Sequence, residues 1–172
     1  MSEYYANIAK CSDRLIKKFN TRDPFTIAKG LGIEILVCDG LKNLKGMYRI
    51  IKRNRFIFLN SKNSPEMNRI VCAHELGHDR LHRNFAKDTL FQEFMLYNMA
   101  SRHEYEANIF AANLLLDDDE VLEYIKNGYD TLKIASATET DINLVALKVD
   151  YLIRNGHNLV KQEHYSKFLK KS

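Results

Sequence analysis

The spacing of hydrophobic residues along the 172-residue chain changes character once, near residue 64. Residues 3 to 19 place Tyr5, Ile8, Leu15, Ile16 and Phe19 at helical intervals, and the pattern ends near Asn20, which predicts a first helix. Asp23 followed by Pro24 supplies an N-cap with proline at the first helical position, opening a short helix that stops near Gly30 to Gly32. "IEILVCD", residues 33 to 39, then reads as a strand. "GMYRII" (46 to 51) and "RFIFLN" (55 to 60), joined by "KRN", read as a hairpin that completes a small sheet. From Ser64 onward the strand signals vanish: Ser64-Pro65-Glu66 opens a helix, and helical period continues downstream, broken by caps such as Asp117-Asp118-Asp119 and Gly128. The segment 83 to 101, "RNFAKDTLFQEFMLYNMAS", fits either a core helix or a mobile loop that folds over a site. A small N-terminal β unit followed by helices, with no linker and no repeat, predicts an α+β fold. One domain over 1–172 is expected, with its core at about 23–125 and a helical C-terminal part at 130–172.

Composition changes this picture little. Hydrophobic residues make up 45% and charged residues 28%, enough for a real core. The net charge of +4 is spread along the chain, and the clusters at 52–55 and 167–171 read as solvated surface rather than a nucleic-acid footprint. Three widely spaced cysteines, Cys11, Cys38 and Cys72, with no Cys-x-x-Cys pair, argue against a disulfide framework or a thiolate zinc site and for a reducing compartment. The N-terminus carries charges throughout, and no stretch reaches the roughly 18 apolar residues of a membrane span. The expectation is a cytoplasmic protein with no membrane partner.

Chemistry enters with "AHELGHDRLH", residues 73 to 82. On a helix over 66 to 82, Met67, Ile70, Val71 and Leu81 form an apolar stripe with His74 and His78 in its middle, so both histidines face inward. Asn68, Arg69, Asp79 and Arg80 are expected on the opposite, polar face. Histidines four apart stand one turn apart and can converge on one ion at about 2.0–2.1 Å. Glu75 then sits beside that ion without ligating it, placed to take a proton from water as general base. The bland alternative is a pair of core histidines. Cys72 lies about 200° around the helix from His74, which makes it packed core.

A third ligand is sought in "HEYEANIFAANLLL", 103 to 116. Ala107, Phe110, Ala111, Leu114 and Leu115 make its buried stripe, with Glu104 and Asn108 one turn apart along the edge. Glu106 is expected beside Asn113 on the polar side, which favours Glu104 as ligand. Asn108 can orient a ligating histidine through its other ring nitrogen. The alternative for Glu104 is a simple ion pair with a nearby base such as Arg102.

Together, "RIVCAHELGHDRLH" and "EYEANIFAANLLL" resemble the ImmA/IrrE family of zinc metallopeptidases, whose signature is His-Glu-x-x-His followed by Glu-x-x-Ala-Asn/Asp-x-Phe-Ala. The resemblance covers roughly residues 23 to 125. It implies a zincin-like catalytic domain in which His74, His78 and Glu104 hold zinc and Glu75 is the catalytic base. The spacing of Glu104 to Asn108 parallels the Glu-x-x-x-Asp element of thermolysin-like gluzincins. It further implies cleavage of a helix-turn-helix repressor, encoded on a prophage or mobile element, that switches genes on. The family usually has proline after the Leu-Leu run; here Asp117 can cap the next helix instead.

Several residues stay open at this level. His82, one turn beyond His78, either supports a metal ligand from behind or contacts substrate, or it lies at the surface; the group stabilising the oxyanion is among His82, Tyr97, His103 and Tyr105. His157 and His164 read as solvated. Residues 131 to 156 form two helices joined at Thr138 to Asp141, superficially a helix-turn-helix, whose second helix offers Asn143, Lys148 and Arg154 as polar contacts. Besides the peptidase, the sequence admits a metal-containing module that binds the repressor without cutting it, and a DNA-binding regulator built on those C-terminal helices. Of these, direct nucleic-acid binding is the reading least favoured. For a peptidase, "GMYRII" or "RFIFL" would supply a strand edge for an extended substrate, with Arg49, Lys52, Arg53 and Arg55 attracting an acidic linker.

Overall fold

The computed structural model describes residues 2–83 and 101–159. Tyr97, His164 and nearly all of the segment 83 to 101 therefore lie outside the described residues. Within them the chain runs α1 (Ser2–Phe19), α2 (Pro24–Gly30), β1 (Ile33–Cys38), β2 (Gly46–Ile51), β3 (Asn54–Asn60), α3 (Pro65–Leu81), α4 (Arg102–Leu115), α5 (Asp118–Lys126), α6 (Thr131–Ala137) and α7 (Ile142–Arg154). The fold is α+β, as expected. Helices start where the sequence supplies caps: Ser64 Oγ accepts the Met67 N–H at 3.2 Å, and Ser101 Oγ accepts that of Glu104 at 3.3 Å. Asp117 accepts the N–H groups of Asp119 and Glu120 and so opens α5, the role expected of it.

The sheet order is β1-β3-β2, with β3 parallel to β1 and antiparallel to β2. β3 is thus paired on both sides, so "RFIFL" has no edge to offer and only "GMYRII" does. Ile51 pairs with Asn54 across a two-residue turn, Lys52-Arg53. Counting from that turn, Ile51, Arg49 and Met47 face β3, while Tyr48 and Ile50 direct their main-chain groups to the open edge.

α3 is the centre of the molecule. The hairpin packs on one side of it and α4 on another, so ten consecutive residues, Ile70 to Asp79, are buried. The expected polar face fails at Asp79, because the hairpin covers it. α4 is likewise enclosed, by α1, α3 and α7, and this overturns the expected polar placement of Glu106 and Asn113: both are buried. A single-helix projection cannot see a helix covered on several sides. Gly77 lets α3 and α4 approach: a Cβ there would stand 3.0 Å from Ala107 Cα and 3.1 Å from its carbonyl oxygen. The end of α4 is closed by Arg22, whose Nη1 donates to the carbonyls of Asn113 at 3.0 Å and Leu114 at 3.2 Å.

Candidate metal centre

The narrow α3–α4 interface brings His74, His78 and Glu104 together, all buried. His74 Nε2 lies 3.1 Å from His78 Nε2 and 3.3 Å from Glu104 Oε2, and His78 Nε2 lies 3.5 Å from Glu104 Oε1. Two ligands at about 2.0–2.1 Å from one tetrahedral ion are separated by roughly 3.3 Å. The two ring nitrogens and the Glu104 carboxylate, which turns one oxygen toward each ring, therefore lie at the ligand-to-ligand spacing of a tetrahedral ion, and these residues could hold a metal ion. The alternative pairing of Glu104 with Arg102 is not the one formed: Arg102 Nε donates to Glu106 Oε1 at 2.7 Å.

Neighbouring groups settle which ring nitrogens point inward. His74 Nδ1–H donates to Asn108 Oδ1 at 2.9 Å, which leaves Nε2 toward Glu104. His78 Nδ1 lies 3.1 Å from His82 Nδ1, and His82 Nε2 lies 2.7 Å from Glu106 Oε2. His82 is thus buried rather than at the surface, with both ring nitrogens engaged, which removes it from the oxyanion candidates. Tyr105 lies on the α1 side, its ring 6.0 Å from that of Tyr5, while His103 stacks edge-on against His82 at 4.6 Å.

Electrostatics divide the two histidines. Burial lowers the pKa of His74, but the Glu104 hydrogen bond, with Glu75 and Asn108, outweighs it, so the ring lies above its ordinary value. His78 falls well below, through burial and then the adjacent His74, His82 and His103. Burial, with His103 and His74 nearby, also pushes His82 down to about 4. The site attracts positive charge at His74 and keeps His78 neutral, as a ligand requires. Glu75, 2% exposed, is pushed up to about 7, first by burial, with Glu104 adding to it and His74 and the Tyr48 N–H opposing. That N–H comes from the open edge of β2.

The IrrE N-terminal-like domain, a peptidase family, matches residues 28–149. The chain belongs to this family. A relative from Bacillus phage phi105, the "uncharacterized immunity region protein 2", is 33% identical over 144 residues, covering 84% of this chain and 90% of its own. The IrrE-like match extends past the two motifs into α7, beyond the 23–125 span expected from sequence.

In this IrrE-like chain the polar residues expected to serve a DNA reader are engaged within the protein, Asn143 Nδ2 donating to Asp141 Oδ1 at 2.8 Å. Lys148 is 2% exposed; its Nζ donates to Asn113 Oδ1 at 3.1 Å and pairs with Asp118. Arg154 Nε pairs with Asp150 at 2.6 Å. Cys72 is core, as expected, and His157 is exposed. Three participants escaped the sequence reading: Tyr48 through its main chain, Glu106, and Arg102. The last two carried one available signal, an Arg–Glu pair four apart on the helix opposite His82. Among the described residues no helix is long and apolar enough to cross a membrane.

Proposed function

We propose that this protein is a zinc-dependent endopeptidase of the reducing cytoplasm. Its substrate would be a helix-turn-helix repressor of a prophage or mobile element, whose cleavage frees the repressed genes. The observation that carries this reading is the ligand-like spacing of His74, His78 and Glu104 beside a buried carboxylate, Glu75, that forms no ion pair with an arginine or lysine among the described residues. Mixed nitrogen and oxygen donors suit zinc, and three protein ligands are the number of a catalytic rather than a closed structural site. Family membership and the relative from a phage immunity region support the substrate class.

When bound, zinc supplies Lewis acidity, acidifying water and polarising a carbonyl. The protein's own residues do the rest. Asn108 fixes the His74 ring, and His82 fixes that of His78. Glu75, with its affinity for protons raised toward neutrality, takes a proton from the attacking water and returns it to the leaving amine. Tyr48 N–H holds that carboxylate in place. The Tyr48 carbonyl and Ile50 main-chain groups on the β2 edge bind the substrate as an added strand, drawing its scissile bond past Glu75. Arg49, Lys52 and Arg53 remain available to an acidic linker; Arg55 does not, since its guanidinium is bound to Asp79 and the Leu31 carbonyl.

The test is metal analysis of the purified protein together with cleavage of the repressor encoded beside it. One zinc per chain is expected, with cleavage lowered about 100- to 10,000-fold in Glu75→Gln, which keeps the metal. Stoichiometric zinc with repressor binding but no cleavage would favour the non-cleaving module. Proline at Ile50 should abolish cleavage without loss of zinc or fold; undiminished cleavage there would refute strand addition alone.

A further inference from the structure

Each presumed ligand histidine has a second partner, and the two partners differ in kind. His74 ends on a neutral amide, Asn108. His78 begins a chain that crosses between helices and ends on a charge pair. One turn along α3, His82 Nδ1 receives His78 Nδ1 at 3.1 Å; across the interface, Glu106 Oε2 receives His82 Nε2 at 2.7 Å; one turn back along α4, Arg102 Nε donates to Glu106 Oε1 at 2.7 Å. The guanidinium is itself seated on Tyr4 of α1, 4.6 Å from the ring centroid, and Arg102 Nε also lies 3.2 Å from the Tyr4 hydroxyl.

Donor and acceptor counting allows one arrangement that leaves His78 Nε2 facing the metal site. His78 must carry its proton on Nδ1 and donate it. His82 must then be neutral, accept at Nδ1 and carry its own proton on Nε2, which a carboxylate accepts. Glu106 must be ionised, and Arg102 supplies its counter-charge. Every bond points the same way, from the metal ligand to the carboxylate, so each polarises the next.

We infer that His82, Glu106 and Arg102 form a positioning relay that locks the tautomer and ring orientation of His78 and raises its strength as a metal ligand. This rests on the metallopeptidase reading and adds to it two residues outside the His-Glu-x-x-His helix. His82 is the essential link because it alone touches both sides. Glu106 sets the polarity, and Arg102, with its side chain 74% exposed, contributes least.

The experiment measures zinc affinity by chelator competition, and reads ring protonation by long-range proton–nitrogen NMR of the zinc-loaded protein. Glu106→Ala and His82→Phe should each weaken zinc binding about 10- to 100-fold. Glu106→Gln, which keeps the shape and an acceptor oxygen, should recover part of that loss, and Arg102→Ala should change affinity less than about threefold. The wild-type spectrum should show His78 protonated at Nδ1 and His82 protonated at Nε2 only, a readout that needs no variant to fold. His82 protonated at Nδ1, or unaltered zinc affinity in both Glu106→Ala and His82→Phe, would overturn the relay while leaving the peptidase reading intact. Failure of the wild-type protein to take up zinc would overturn both.

Discussion

α3 carries buried charge on two sides, and the two sides are built differently. Toward the hairpin, Asp79 is buried and receives the Tyr48 hydroxyl at 2.7 Å, Arg55 Nη1 at 3.2 Å and Arg83 Nη2 at 2.9 Å. Burial raises its pKa, but these donors outweigh that, and the carboxyl ends below its ordinary value. Toward α4, buried Glu104 meets His74 and His78, and among the described residues no arginine or lysine is paired with it or with buried Glu75, which only the Tyr48 N–H reaches from β2. One cluster brings its own cations; the other is arranged around the place for one. A buried carboxylate alone therefore says little about function. What distinguishes a site is a set of buried acceptors that the protein leaves uncompensated at the spacing of a ligand shell.

The sharpest way to break this contrast is to remove one carboxylate from each side. Glu104→Ala should weaken zinc binding by at least about 100-fold, yet shift the stability of the metal-free protein by less than about 1 kcal/mol, because no arginine or lysine loses its partner and His74 can give up its proton. Zinc titration and chemical denaturation in chelator would check it. Tight zinc binding by this variant would remove Glu104 from the ligand set.

Asp79→Ala should behave in the opposite way. It strands the Tyr48 hydroxyl in the interior and leaves Arg55 and Arg83 without their acceptor, at a cost of about 2–4 kcal/mol. Zinc stoichiometry should remain at one. A stability loss under 1 kcal/mol would mean that solvent already compensates these arginines, and the contrast between the two faces would lose its physical basis.

Gly77→Ala probes the packing that both faces share. The added methyl meets the backbone of Ala107, which cannot rotate away, so α3 and α4 must separate. Overpacking costs about 1–3 kcal/mol, which exceeds the helix-propensity gain of about 1 kcal/mol from replacing glycine. The net loss should be about 1 kcal/mol, accompanied by weaker zinc binding as Glu104 moves off the histidines. Unchanged zinc affinity would show that the ligand geometry tolerates a wider interface.

What could be read from the chain, and what could not, follows from the same two faces. Caps and periods located the elements well, because Asp23-Pro24, Ser64-Pro65 and Asp117 act through their own backbone neighbours. His74, Glu75 and His78 were legible because their relation is local, one turn of one helix. Glu104 required a second helix but lay on its buried edge. Asp79, Glu106 and Lys148 were misplaced on polar or solvent faces, since their partners come from elements 24 to 35 residues away in sequence. Helical projection registers the preference of a residue for water, whereas these three are buried by what packs over them and are neutralised there.

The hairpin turn offers the gentlest test, since neither Lys52 nor Arg53 belongs to either charged cluster. Lys52 and Arg53 occupy a two-residue turn with φ of 49° and 67°, the left-handed region in both positions. A turn of this kind suits Asn-Gly, whereas side chains such as lysine and arginine are strained there by Cβ contacts with the backbone. Replacing the pair by Lys52→Asn and Arg53→Gly relieves that strain, partly offset by the greater freedom glycine gives the unfolded chain. A gain of about 1 kcal/mol in denaturant unfolding is expected, with zinc binding unchanged. Cleavage of the neighbouring repressor supplies the informative reading. If the basic pair only closes the turn, cleavage persists at every ionic strength. If it also attracts an acidic linker beside the β2 edge, cleavage falls a few-fold at low salt and converges with wild type at high salt, where screening shortens to about 3 Å at 1 M. The proposed attraction of an acidic linker predicts the second outcome; a salt-independent, unaltered rate would confine substrate recognition to the strand edge itself.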